Sequence, residues 1–104
     1  MYNEKWIKWK SKTIKNAKVA GDLNDSLRLL ATKISKYYPG IKIWFTQKLG
    51  KRESYIAGAG QEQYIAPQKY KLNSKYNVFL QDNNLKKEDK EKIIEICRII
   101  ISEY

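Results

Sequence analysis

Apolar positions recur along this chain with two different periods. From Tyr2 to Lys18, Trp6, Ile7, Trp9, Ile14 and Ala17 gather on one side, the pattern of an amphipathic helix. A second helix is predicted from Leu23 to Tyr38. Leu23, Leu27, Leu30 and Ile34 repeat at helical spacing, Leu29 widens the face, and Pro39-Gly40 stops it. Between the two, Val19-Ala20-Gly21-Asp22 reads as a turn. Gly21 supplies the left-handed conformation that ends a helix, and Asp22 or Asn24 caps the next. The period then becomes that of a strand. Ile41, Ile43 and Phe45 alternate with Lys42, Trp44 and Thr46, Lys48 to Arg52 form a short turn around Gly50, and Ser54 to Ala57 returns. Ile41–Gly60 is therefore read as a β-hairpin with a basic tip.

Gly58-Ala59-Gly60 has neither the following helix nor the lysine–serine/threonine pair of a phosphate-binding loop. It reads as a strand end where the backbone turns or crowds a neighbour. Gln61 to Gln68 is polar, contains Pro67 and reads as a loop that Tyr64 and Ile65 fold back onto the domain. Lys71-Leu72 begins an extended piece broken by Asn73-Ser74. Tyr76, Val78 and Leu80 then alternate with Asn77 and Phe79 as a third strand, and Gln81 to Asn84 is a turn. The last helix is predicted from Lys86 to Ser102. Ile93, Ile94, Cys97, Ile100 and Ile101 form one face, which Ile96 and Ile99 widen. That is more apolar surface than one small sheet needs, and it points to a partner helix from a second copy in a two-fold dimer.

A chain of 104 residues, 42% of them hydrophobic, is one domain that buries a core without disulfides or metal. No apolar run approaches the roughly 18 residues of a membrane span, and lysines interrupt the N-terminus where a signal peptide is apolar. The single cysteine, Cys97, suits a cytoplasmic protein. Charge changes the picture most. The net charge is +10, and residues 1–60 hold 13 basic and 4 acidic groups against 8 and 7 in residues 61–104. Eighteen of the 21 basic residues are lysine, in a chain rich also in Ile, Asn and Tyr. An AT-rich coding bias raises lysine content but does not crowd lysines into one half, whereas a polyanionic partner does. On the first helix Lys5, Lys8, Lys12 and Lys15 form a stripe with Glu4 the only acid among six lysines, a face expected to meet phosphates.

Catalytic chemistry is poorly supplied. The chain has no histidine, and one cysteine without histidine builds neither a thiol–histidine pair nor a zinc site. The carboxylates Glu88, Asp89, Glu91 and Glu95 are diluted by Lys86, Lys87, Lys90 and Lys92, as on a solvated helix face. No enzyme and no metal or other cofactor is expected, and Trp6, Trp9 and Trp44 are assigned to the core.

In size, charge and helix–turn–helix–hairpin order, residues 3–57 resemble winged helix-turn-helix DNA-binding proteins. The lysine-rich, AT-biased chain is also similar to the small accessory proteins of conjugative plasmids in low-GC bacteria, which bind repeats in the origin of transfer and assist a relaxase. The resemblance implies a small α+β winged helix-turn-helix-like domain: two N-terminal helices, a hairpin wing plus a third strand, and a C-terminal helix. Residues 1–60 would be the basic helix-turn-helix and wing, and 61–104 the strand and dimerising helix. It further implies a homodimer that binds double-stranded DNA sequence-specifically, in transfer or transcription regulation, in company with a larger DNA-processing enzyme. Lys48, Lys51 and Arg52 would form the wing. Arg28, Lys33 and Lys36 would be helix contacts, with Asn24, Ser26 and Thr32 on the same outer side. Asp22 and Asp25 oppose deep insertion of that helix, which favours reading by the wing, where Arg52 suits the narrow minor groove of AT-rich DNA. The chain departs from the pattern in lacking an extra helix before the wing and in its C-terminal extension. Two other resemblances stand beside it. Helix 23–38, strands and helix 86–102, with Leu85-Lys86-Lys87-Glu88-Asp89 opening the last, are similar to a GAF-like sensory module. The same order, with Lys86, Lys87 and Lys90, resembles a double-stranded-RNA-binding domain.

Overall fold

Each change of hydrophobic period becomes an element boundary. The computed structural model describes residues 4–62, 64–82 and 85–104; Tyr2, Gln63, Asn83 and Asn84, which the predicted elements include, lie outside the described residues. In chain order the elements are α1 (Glu4–Lys18), α2 (Leu23–Tyr37), β1 (Lys42–Leu49), β2 (Arg52–Gly60), β3 (Gln68–Lys71), β4 (Tyr76–Gln81) and α3 (Lys87–Ile101). Gly21, at φ +110°, turns the chain between the first two helices, and the Asp22 carboxylate caps α2 by accepting from the Asp25 N–H at 2.9 Å. The protein is α+β, in an order consistent with a small winged-helix-like domain.

The strands form one antiparallel sheet in the order β2-β1-β4-β3. β3 is an addition to the expected strands: the extended piece at Lys71 pairs with β4 as a hairpin of its own. One face of the sheet is apolar. Ile43, Phe45, Ala57, Val78 and Leu80 meet Leu27, Leu30, Ala31 and Ile34 of α2, and Ile93, Ile96, Cys97 and Ile100 of α3. α2 lies on β2 and β1, α3 lies by β4, and α1 rests on the two helices rather than on the sheet. The face of the sheet opposite the helices carries none.

This third layer disposes of the apolar surplus on α3. Ile93, Ile94, Ile96, Cys97, Ile100 and Ile101 are all buried within the chain, because α1, α2 and the sheet cover α3 from several sides. The surplus therefore gives no reason to invoke a second copy. α1 is rotated from its expected orientation. Its buried line is Trp6, Thr13 and Ala17, whereas Ile7 is 50% exposed. Trp6 stacks on Trp9 at 5.0 Å between ring centroids and meets Tyr37 edge-on at 5.5 Å, joining α1 to the end of α2.

Two local features set which residues the open face displays. Between Phe45 and Thr46 the β1–β2 register shifts, Phe45 pairing with Ala57 and Thr46 with Tyr55, so that Ile56 is an extra residue in β2. Because strand side chains alternate, this bulge turns Glu53 and Tyr55 to the open side together with Thr46 and Lys48. Gly58 is required by close approach: a Cβ there would lie 2.6 Å from the Trp44 Cβ and 2.8 Å from the Ile43 carbonyl oxygen. The glycines at 58 and 60 thus mark a crowded strand end, as the sequence suggests.

Candidate nucleic-acid interface

The hairpin tip is a two-residue turn. Leu49 pairs with Arg52, and Gly50 at φ +65° occupies the first central position, where a type II′ turn needs positive φ. Lys48, Lys51 and Arg52 are all exposed on it, as expected of a wing. A second turn lies alongside, between β3 and β4. There the Asn73 side-chain oxygen accepts from the N–H groups of Lys75 and Tyr76, both at 2.8 Å, and Leu72 is buried as an anchor. The Lys48 N–H donates to the Lys75 carbonyl at 2.7 Å and fastens one turn to the other. Lys71 and Lys75 thereby join Lys48, Lys51 and Arg52 at one end of the sheet.

Only one carboxylate, Glu53, enters this group from the strands, and it is already engaged. It accepts from the Lys69 ammonium and from the Thr46 hydroxyl at 2.7 Å. The Lys69 hydrogen bond, and after it the Thr46 bond, holds the Glu53 carboxyl below its ordinary pKa. Further along the open face, Trp44 and Phe79 face each other across β1 and β4, with centroids 5.2 Å apart and planes within 1° of parallel. The Lys42 ammonium lies 5.5 Å from the Trp44 ring and that of Lys69 5.7 Å from the Phe79 ring. Trp44 is therefore not a core residue. Its even position in the strand, rather than its type, decides which face it takes.

The other expected contacts occupy different surfaces. Lys5, Lys8, Lys12 and Lys15 are exposed on α1, in the helical layer remote from the sheet, and Lys8 lies 3.6 Å from Glu4. On α2, Arg28 and Lys36 are exposed, Arg28 standing 3.7 Å from Asp25, whereas Lys33 is half-buried. Ser26 is a correction. It is fully buried rather than on the outer side, its hydroxyl donating to the Ala17 carbonyl at 2.7 Å and lying 2.6 Å from the Tyr104 hydroxyl. The structure gathers the wing residues and leaves the α1 stripe and the α2 group apart from them.

Lys69, Lys71 and Lys75 are the members that sequence reasoning misses. The signal for two of them is present: Lys69 and Lys71 alternate with Tyr70 and Leu72, the period of a strand with one charged face. Of the lysines that suggest an RNA-binding helix, Lys90 is turned inward, 3.8 Å from Asp82 and 3.2 Å from the Gln68 side-chain oxygen. Cys97 is completely buried, which raises its thiol pKa and keeps it protonated. Among the described residues no cluster of His, Cys, Asp and Glu is suited to hold a metal ion, and no helix is long and apolar enough to cross a membrane. Comparison with protein-family models, curated proteins and solved structures gives no match.

Proposed function

We propose that this protein is a non-enzymatic, sequence-specific binder of double-stranded DNA that uses the basic end of its sheet. One observation carries the reading: two turns fastened together hold Lys48, Lys51, Arg52, Lys71 and Lys75 side by side, while the adjacent carboxylate is occupied by Lys69 and Thr46. Lysines held on a rigid sheet supply attraction to phosphates whatever the sequence, and Arg52 is the group suited to a narrow, AT-rich minor groove. α2 has a smaller part, since Lys33 is half-buried and Arg28 has an acid beside it. A role in transcription regulation or in the transfer of mobile DNA would follow from the duplex chosen.

The test is a salt titration of binding to duplexes of random and of AT-rich sequence. A steep fall of affinity with salt, with preference for one duplex, is the expected result. Absence of binding at low salt overturns the reading.

A second reading, that of a small-ligand sensory module, is favoured by a groove of about 850 Å³ between α3 and β3, with Tyr70, Ile94 and Ile99 among its lining residues. It predicts thermal stabilisation by a small amphipathic ligand and indifference to DNA.

A further inference from the structure

The open face of the sheet holds, beside the two turns, a polar cavity of about 280 Å³ lined by Lys48, Lys69, Lys71, Asn73, Ser74 and Asn77. Its floor is Asn77, only 5% exposed although no helix covers this face, and the β3–β4 register sets Lys71 directly opposite it. Every lining side chain is a cation or a neutral group able to donate. Lys69 is held by Glu53, whereas Lys48 and Lys71 have no ion pair among the described residues. The Asn73 oxygen is consumed by two backbone N–H groups, which leaves its amide protons for a ligand. Three lysines against the single carboxylate of Glu53 leave the cavity with two positive charges.

We infer that this cavity binds a phosphate group, and a dianionic monoester in preference to a diester. Lys48 and Lys71 would meet the phosphate oxygens as point charges, with the Asn73 amide and Ser74 hydroxyl as neutral donors. A phosphomonoester carries about −1.5 to −2 charges at neutral pH and matches the excess, while a backbone diester carries one. Two sources share this chemistry: the phosphorylated end of a nucleic-acid strand, and a free phosphate compound such as a mononucleotide. The site adjoins the proposed duplex surface but does not depend on it, because a diester-binding end of the sheet needs no preference for monoesters.

The experiment follows backbone amide resonances of the intact protein during titration with inorganic phosphate. Matched titrations use a short oligonucleotide with a 5′-phosphate and the same strand without it. Phosphate is expected to move the amides of Lys71, Asn73, Ser74 and Asn77. The Lys48→Gln, Lys71→Gln double variant, altered only at exposed side chains, should keep its fold and bind phosphate at least about tenfold more weakly. A phosphorylated strand that binds more tightly than its partner, with the advantage lost in the variant, assigns the strand end. Equal binding of the two strands, with phosphate binding retained, assigns free phosphate compounds. Shifts absent from these amides, or unchanged in the variant, overturn the inference. Absence of duplex binding with these shifts intact overturns only the DNA reading.

Discussion

Lysines on α1 and lysines at the end of the sheet look alike in the sequence and are used differently in the fold. On α1, Lys10 reaches Glu95 of α3 and Lys18 reaches Glu103, both at 2.8 Å, and Lys92 of α3 lies 5.5 Å from the Trp6 ring. Lys42 on β1 likewise reaches Glu62 at 2.5 Å. These pairs join the basic first 60 residues to acids in the remainder of the chain, so part of the charge asymmetry is complementarity between two segments of one fold. At the sheet end no such acids arrive: Glu53 is the only carboxylate among the cations, and Lys69 holds it. An excess of lysine points to a partner only where the chain itself does not answer it.

Breaking the α1 seam should have the largest effect. Its ion pairs are partly exposed, with Lys18 and Glu103 about half accessible, and pairs of this kind are worth about 0–1 kcal/mol. Trp6 is different, at 1% exposure between Trp9, Tyr37 and Tyr38. Trp6→Ala should cost about 3–5 kcal/mol in urea unfolding, against about 1 kcal/mol or less for Lys10→Ala. The folded fraction of Trp6→Ala should still bind DNA, because the sheet end is built without α1. A cost for Trp6→Ala no greater than for Lys10→Ala would mean that α1 only leans on the other helices.

The second test sets the two lysine groups against each other on DNA. Lys51→Ala with Arg52→Ala should weaken binding by about 1–3 kcal/mol for each base-specific hydrogen bond removed, and should lower the salt slope. The sequence alone leads one to expect a uniform loss from Lys8→Ala with Lys12→Ala as well. With α1 in the layer remote from the sheet, that pair should now change affinity by much less. Equal losses from the two pairs would require DNA to reach both sides of the molecule, and the distinction between them would collapse.

Periodicity made most of the elements legible. Three helices, the hairpin and β4 follow from the spacing of their apolar residues and from Gly21, Pro39 and Gly50. Spacing states how much apolar surface a helix carries but not what covers it. The isoleucines of α3 therefore read as a dimer face, although α1 and α2 lie against them. The wing residues were legible because they are neighbours in sequence. Lys71 and Lys75 were not, because only the Lys48–Lys75 hydrogen bond brings a distant turn beside them. The extra residue in β2 left no mark on the hydrophobic pattern, yet it decides which side of the sheet Glu53 faces.

Glu53 gives the smallest effect and the sharpest test of how the sheet end manages its charge. Hydrogen bonds from Lys69 and then Thr46 hold its carboxyl below the ordinary carboxylate range in the folded protein. A depressed folded pKa means that the stabilisation is fully present above the unfolded pKa and is lost as pH falls through the folded value. In an NMR pH titration Glu53 should therefore be among the last carboxylates to protonate, and Lys69→Gln should raise its midpoint toward that of an exposed glutamate. Near neutral pH Glu53 stays charged and keeps Lys69 engaged, so any pH dependence of phosphate binding there must come from the ligand. If Glu53 titrates normally and ignores Lys69→Gln, Lys69 is not committed to it and stands free beside Lys48 and Lys71. The contrast with α1, where acids from a distant segment answer the lysines, would then be greater than the hydrogen bonds of Glu53 imply.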